Sequence, residues 1–168
     1  DYEKAQATIR LMSEIAKATL DVMGGFPALQ PPRRVTVAEG VAESMVLNQP
    51  GGYVGPWSAD ETPYMIEPMN MLASRRHEAV CFVGPARTGK TLGLLDGWIS
   101  HAVTNDPGDF AVIQMTQEKA REYSKTRIDR MLRYSPALQA LKSASSQHDN
   151  THDKMFRHGM WLRIAWPT

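Results

Sequence analysis

The residues with the clearest chemical meaning form one short segment, residues 84–91. They follow the pattern glycine, any four residues, glycine, lysine and threonine, which is typical of loops that cradle phosphate groups. Glycines let the backbone turn so that successive N–H groups face phosphate oxygens, and a following helix adds its positive end. The spacing predicts that Lys90 reaches the β- and γ-phosphates of a nucleoside triphosphate, and that Thr91 holds Mg²⁺. The predicted loop consists of Gly84, Pro85, Ala86, Arg87, Thr88, Gly89, Lys90 and Thr91.

Two features of this loop leave alternatives open. The same pattern also occurs as a glycine-rich turn between a strand and a helix, with Lys90 as an ordinary surface lysine. Arg87 lies inside the loop, where we expect it either to contact a γ-phosphate, its own or a neighbouring subunit's, or to pair with a surface carboxylate. A loop of this kind indicates that a nucleotide is bound, but it does not indicate which process that nucleotide drives.

The elements on both sides of the loop should hold it in place. The apolar run 79–83 predicts a buried parallel strand directly before it. That strand would make Cys81, the one cysteine of the chain, a small buried side chain. A helix is predicted from Lys90 to about Val103.

Further strands and helices follow at the spacing of an α/β fold. Residues 110–115 predict a second buried strand and residues 117–133 predict a long helix. Residues 154–157 and 160–166 predict a β-hairpin around His158-Gly159. The alternation of strand and helix predicts an α/β fold with a parallel sheet, to which the hairpin adds an antiparallel edge.

A Mg²⁺-dependent hydrolase also needs a carboxylate at the end of another strand. Asp96 falls within the predicted helix, and Asp106 and Asp109 fall in a turn. We therefore expect the acidic half of the site to lie beyond Thr168. We also expect the chain to be a trimmed piece of a longer protein, because it begins with Asp1 and not with Met.

The region before the loop has a different composition. Residues 2–23 predict an amphipathic helix that ends at two glycines, and a Pro-rich linker follows. Thr36 is the predicted cap of a second helix over 37–47. The sequence thus predicts an N-terminal helix with linker over 1–35 and one domain over 36–168. No run of about 18 apolar residues occurs, so we expect no membrane span.

Positive charge is concentrated in the last third of the chain. Residues 117–168 hold 10 basic and 5 acidic side chains, whereas residues 1–116 hold 9 and 13. This pattern is compatible with a surface for nucleic acid, or with a solvated helix surface carrying internal ion pairs. The predicted helix carries Lys119, Arg121, Lys125, Arg127, Arg130 and Arg133. We expect His101, His148, His152 and His158 to be solvated surface residues and not metal ligands.

Three segments together resemble a known family. They are Gly55-Pro56-Trp57 with Glu61-Thr62-Pro63-Tyr64 and Met69-Asn70-Met71-Leu72, then residues 82–91, then Gln114-Met115-Thr116-Gln117 with Ala120, Tyr123-Ser124-Lys125 and Arg127-Ile128. In this order and spacing, residues 53–133 resemble the ATPase domain of tailed-phage terminase large subunits of the lambda gene-product-A type. The hairpin at 154–166 also fits the family.

The resemblance implies a fold and an activity. The fold is a P-loop NTPase (ASCE/RecA-like) three-layer sandwich with a mainly parallel sheet, here cut before the acidic Mg²⁺-binding strand and preceded by a helical extension. The activity is ATP hydrolysis, with ATP and Mg²⁺ as cofactors, that drives double-stranded DNA into a procapsid.

The resemblance also implies roles for single residues. Lys90 and Arg87 would be catalytic, and Lys125 and Arg127 would contact DNA or a neighbouring subunit. The aromatic side chains expected near adenine are Tyr53, Trp57 and Tyr64, for which packing onto the core is the alternative. The family usually has glutamine where this chain has Met65, and a thioether cannot make the paired hydrogen bonds of an amide, which weakens selectivity for adenine.

The implied partners are double-stranded DNA, the small terminase subunit through the N-terminal region, the portal of the procapsid, and further copies in a ring. The implied location is the host cell cytoplasm, with no membrane contact. Two alternatives stay open: another P-loop nucleic-acid translocase resembling superfamily-2 helicases, and a P-loop phosphotransferase or regulator. An acidic motif beyond residue 168 would separate the terminase from the helicase.

Overall fold

The computed structural model describes residues 10, 12–19, 34–145 and 149–167. The chain divides into two compact units, Asp1–Arg33 and Arg34–Thr168. In the first unit, residues 10 and 12–19 are helical, within the helix predicted over 2–23. The predicted glycine stop and most of the Pro-rich linker lie outside the described residues. In the part of the chain that is described, no helix has the length and apolar character needed to cross a membrane.

The larger unit begins with helix α1, Val37–Ser44, which carries a full capping box. The Thr36 hydroxyl accepts the backbone N–H of Glu39 at 3.3 Å, and the Glu39 carboxylate accepts the backbone N–H of Thr36 at 3.0 Å. These bonds satisfy two backbone donors and confirm the predicted helix start. The helix ends earlier than predicted, because β1, Val46–Asn48, pairs antiparallel with β2, Val54–Pro56.

Two 3₁₀ turns, Ala59–Glu61 and Pro63–Met65, lead into helix α2, Ile66–Leu72. Met65 and Met69 are fully buried and pack over Gly93. A Cβ built at Gly93 would come within 2.9 Å of Met65 Cε, so the glycine is what allows this close approach.

The prediction of a strand over 79–83 is wrong. These residues have no regular secondary structure, and among the described residues none pairs with them. Val83 is 91% exposed, and Cys81, which was predicted to be buried, is also exposed. An apolar run becomes a strand only where a neighbouring strand supplies hydrogen-bond partners, and that condition is not met here.

Two long helices contain a π-helical segment each. The first comprises the π-helical segment Thr91–Gly97 followed by α3, Trp98–Thr104. The second comprises α4, Gln117–Tyr123, the π-helical segment Ser124–Ile128, and α5, Asp129–Tyr134; a short helix α6, Pro136–Leu141, follows it. Both helices were predicted, the first as the helix that follows the loop and the second over 117–133. The π-helical segments were not, and such segments often occur at functional sites.

A three-stranded sheet completes the unit. Its strands are β3, Phe110–Ile113, β4, Asp153–Met155, and β5, Trp161–Ala165, in the order β3-β5-β4. β3 and β5 are parallel, with Val112 opposite Ile164, and β4 and β5 form the predicted antiparallel hairpin. The described fold is therefore mixed α/β with one parallel strand pair and, including β1 and β2, two antiparallel pairs, which is less parallel than predicted.

A buried ammonium group joins this sheet to helix α5. Lys154 on β4 is only 3% exposed. Its Nζ lies 2.6 Å from a carboxylate oxygen of Asp129 and 3.0 Å from one of Asp149, and it also donates to the Asn150 carbonyl. A buried cation is tolerated only with such partners, so this cluster fixes the hairpin against the helix.

Candidate functional site

The loop 84–91 has the backbone conformation that its sequence requires. Gly89 has φ 75° and Arg87 has φ 64°, both in the left-handed region that is uncommon for residues other than glycine. A Cβ built at Gly84 would meet Phe82 Cε1 at 3.0 Å and Lys90 Cδ at 3.7 Å. A larger residue at position 84 would therefore crowd the ring of Phe82.

Lys90 directs its ammonium group into the loop. Its Nζ donates to the carbonyl of Gly84 at 2.7 Å and to the carbonyl of Pro85, and it lies 3.5 Å from the Thr88 hydroxyl. The Thr88 hydroxyl in turn donates to the Pro85 carbonyl at 2.9 Å. The positive charge is thus held among the loop's own oxygens, at the place where a phosphate would offer better acceptors.

The loop continues directly into a helix. The backbone N–H of Gly93 donates to the Gly89 carbonyl at 2.8 Å, and Thr91 opens the π-helical segment. Thr91 is half-buried beside Lys90. A hydroxyl at this point of a phosphate loop is a suitable Mg²⁺ ligand, so the residues present fit a nucleotide with its metal.

The three candidate aromatic residues lie in different environments. The Tyr64 hydroxyl donates to the Thr88 carbonyl at 3.2 Å, while its side chain is 55% exposed. This places the Tyr64 ring beside the loop with a free face. Tyr53 is half-exposed and donates to the Pro56 carbonyl at 2.9 Å. Trp57 is only 5% exposed and belongs to the core, which favours the packing alternative for that residue. Met65 is also buried, so its thioether faces the core.

The two basic residues singled out on the second long helix are both paired. Lys125 lies 3.4 Å from Asp129, one turn along the helix. Arg127 Nη1 donates to Asp96 Oδ2 at 2.7 Å, and the Tyr123 hydroxyl donates to Asp96 Oδ1 at 2.7 Å. Arg127 keeps 42% of its side chain exposed, so part of its guanidinium still faces solvent.

Asp96 is a functional candidate that the sequence did not reveal. The sequence places this residue in the middle of a helix, whereas in the structure it is only 3% exposed. One carboxylate oxygen accepts from the Tyr123 hydroxyl and the other from the Arg127 guanidinium. Burial raises the pKa of Asp96, while the Tyr123 hydrogen bond and the Arg127 charge oppose that rise. Burial and the Asp96 charge raise the pKa of Tyr123, so this hydroxyl remains a donor. Tyr123 and Arg127 are four residues apart and share one helix face, but this spacing does not indicate their contacts with Asp96.

The histidine prediction is partly wrong. His101 is 4% exposed and packs against Gly40, where a Cβ would overlap its Nδ1. Burial lowers the pKa of His101, although Asp106 acts in the opposite direction. His158 Nε2 lies 2.9 Å from the Val103 carbonyl, and the His152 ring lies 5.0 Å from the ring of Trp166. His101 is therefore buried, His152 is half-buried, and His158 is exposed as predicted, while His148 lies outside the described residues.

No group of three or more metal-binding side chains of the His, Cys, Asp and Glu types was found in the described ranges. The Asp109 carboxylate accepts the backbone N–H of Trp161 at 3.1 Å. Asp96 is committed to Tyr123 and Arg127. Two of the three carboxylates considered from the sequence, Asp96 and Asp109, therefore have structural partners, and Asp106 lies in the turn after α3.

The geometry defines an α/β protein in which a glycine-rich loop holds a lysine at the start of a helix. The family described as phage terminase large subunit gpA, ATPase domain, matches residues 51–168. This match covers more than half of the chain and includes the whole loop, so the chain belongs to that family. No curated protein and no solved structure matches the chain.

Proposed function

We propose that residues 84–91 bind the triphosphate of ATP with Mg²⁺, and that ATP hydrolysis drives double-stranded DNA into a procapsid. The observation that carries this proposal is the Lys90 ammonium group, held inside the loop by the carbonyls of Gly84 and Pro85. Membership of the terminase ATPase family supports both the nucleotide and the packaging role. The proposed fold of the complete ATPase domain is the P-loop three-layer sandwich of the ASCE/RecA-like class.

Each loop residue has a distinct part in this proposal. Lys90 exchanges its carbonyl acceptors for β- and γ-phosphate oxygens, which are better acceptors for an ammonium group because they are charged. Thr91 holds Mg²⁺, which supplies charge neutralisation at the transferring phosphate when it is bound. Arg87 is exposed and in the left-handed conformation, and its proposed role is to contact a γ-phosphate, its own or that of a neighbouring copy.

Tyr64 is the best-placed candidate for contact with the adenine ring. Its hydroxyl anchors it to the loop at Thr88, and its exposed face is available for stacking. Tyr53 is a second candidate at the rim, and Trp57 would act through packing. Because Met65 is buried, we do not assign it a role in reading the base.

The remaining roles concern partners. We assign the region before residue 36 to contact with the small terminase subunit, and the assembled ring of copies to the portal of the procapsid in the host cytoplasm. Lys125 and Arg127 are proposed contacts for DNA or a neighbouring copy. The exposed part of the Arg127 side chain supports this role, although Nη1 already donates to Asp96.

The test compares Lys90→Ala with a matched lysine variant, Lys119→Ala, whose side chain is exposed and lies outside the loop. Loss of the Lys90 charge should weaken ATP binding at least about tenfold, the effect of one lost charge-assisted contact. Lys119→Ala should bind as the wild type does. Equal binding by the two variants would remove the loop assignment.

The motor role needs a separate measurement. ATP turnover by the whole natural protein should rise when duplex DNA is added, and Lys90→Ala should abolish turnover with and without DNA. Turnover that does not respond to DNA would argue against the motor while leaving nucleotide binding at residues 84–91 intact.

A further inference from the structure

A polar cavity lies beside the helix that follows the loop. Its volume is about 340 Å³, and it lies between the segment 45–50, the start of the first long helix and the second long helix. None of the residues 84–91 lines it. Its polar lining consists of Asn48, Gln49, Asp96, Thr126, Arg127 and Arg130.

The charge in this cavity is predominantly positive. Arg127 and Arg130 are three residues apart, so their side chains project from the same face of the helix. Asp96 is the one carboxylate in the lining, and its two oxygens are already occupied by Tyr123 and Arg127. Within the described ranges, no carboxylate lies within ion-pair distance of Arg130.

The arginines retain unused hydrogen-bond donors. A guanidinium group has five N–H donors in a planar fork, and Arg127 uses Nη1 on Asp96. The buried Asp96 thereby fixes the orientation of Arg127, and fixed orientation is what a bidentate anion contact requires. Asn48 and Gln49, whose side chains carry amide donors, also line the cavity.

The size and chemistry of the cavity select its ligand. Two guanidinium groups facing amide donors match a tetrahedral oxoanion with several acceptor oxygens. The volume is close to the lower limit of about 300 Å³ for small-ligand sites, which suits one phosphate group with a small part of the molecule that carries it. Leu92 and Met131 provide an apolar floor for that part.

We propose that this cavity binds one phosphate group, gripped by Arg127 and Arg130, at a site distinct from the nucleotide loop. The phosphate belongs either to a DNA backbone or to a free small molecule, and both present the same oxoanion. The proposal does not depend on the nucleotide site, because its contacts come from other residues.

The experiment uses inorganic phosphate as the probe and Lys90→Ala as the background, so that binding at residues 84–91 is weakened. Phosphate affinity is measured by titration while the side-chain Nε–H signals of the arginines are followed by NMR. Adding Arg130→Gln should weaken phosphate binding about tenfold, as expected for one lost charge-assisted contact. Adding Arg133→Gln, on the same exposed helix but outside the cavity, should leave the affinity within about twofold, a difference well below one such contact.

Two outcomes would overturn the proposal. One is equal affinity in the Arg130→Gln and Arg133→Gln proteins. The other is an absence of phosphate binding once Lys90 is replaced, which would place all phosphate binding at the loop. If the site is present, displacement of phosphate by a short DNA duplex identifies the DNA backbone as the source. Retention of phosphate identifies a free small molecule.

Discussion

The hydrogen bond between Tyr123 and Asp96 should make a large contribution to stability. The two oxygen atoms are 2.7 Å apart, and both residues are buried. Tyr123→Phe keeps the ring and removes only the donor, so one oxygen of a buried carboxylate loses its partner. We expect the free energy of unfolding to fall by about 2–3 kcal/mol, the usual range for a buried hydrogen bond to a charged group.

An exposed ion pair of the same length provides the matched control. Lys119 and Glu122 also lie 2.7 Å apart, but their side chains are 64% and 58% exposed. Solvent screens such a pair, so Lys119→Gln should lower the free energy of unfolding much less than Tyr123→Phe does. The donor–acceptor distance is the same in the two pairs, and only burial differs. We therefore attribute the difference in lost stability between the two variants to burial.

The assay is urea unfolding of the 168-residue chain, followed by far-UV circular dichroism. Asp96→Asn and the double variant complete a thermodynamic cycle, and we expect a coupling energy of at least about 1 kcal/mol between the two positions. Equal losses for Tyr123→Phe and Lys119→Gln, or a coupling energy near zero, would refute the assignment of Asp96 as a buried, doubly paired carboxylate.

Three further predictions concern the core. Lys154→Met removes a buried ammonium group whose carboxylate partners Asp129 and Asp149 keep Lys125 and Lys142, and urea unfolding should show a loss of about 1.5–3 kcal/mol, the usual range for a hydrogen bond to a charged group; a loss below about 1 kcal/mol, as at exposed pairs, would contradict the burial of the ammonium group. Gly40→Ala places a methyl group against His101 Nδ1 and should cost about 1–3 kcal/mol in the same assay, with partial recovery when His101→Ala is added. Burial lowers the pKa of His101, so the unfolded chain binds its proton first as pH falls through about 6.5. Stability should therefore decrease from pH 7 toward pH 5, less so in His101→Gln, whereas the exposed His77→Gln should match the wild type; identical pH profiles for all three would be the contrary result.

The parts of the fold that the sequence predicted are those with local signals. The capping box at Thr36, the two long helices and the hairpin around Gly159 each depend on residues that are close in the chain. Gly159 has φ 92°, a conformation that its residue type predicts at a turn. The phosphate loop is local in the same sense, because its glycines, lysine and threonine follow one another directly.

The parts that could not be predicted depend on contacts between distant residues. Hydrophobicity at 79–83 indicates a tendency to form a strand, but it cannot indicate which strand would pair with it. Asp96 meets Tyr123 and Arg127 across 27 and 31 residues, and no spacing rule connects such positions. The buried environment of His101 likewise depends on Gly40, a residue from another helix.

The exposure of Cys81 has a practical consequence for studies of the loop. It is the only cysteine in the sequence, it is exposed, and it lies three residues before Gly84. A thiol-reactive fluorophore will therefore label this 168-residue chain at one position without an engineered cysteine. Such a label reports on the entrance to the loop. Its fluorescence can therefore be used to measure how fast Lys90 moves between its carbonyl acceptors and a phosphate.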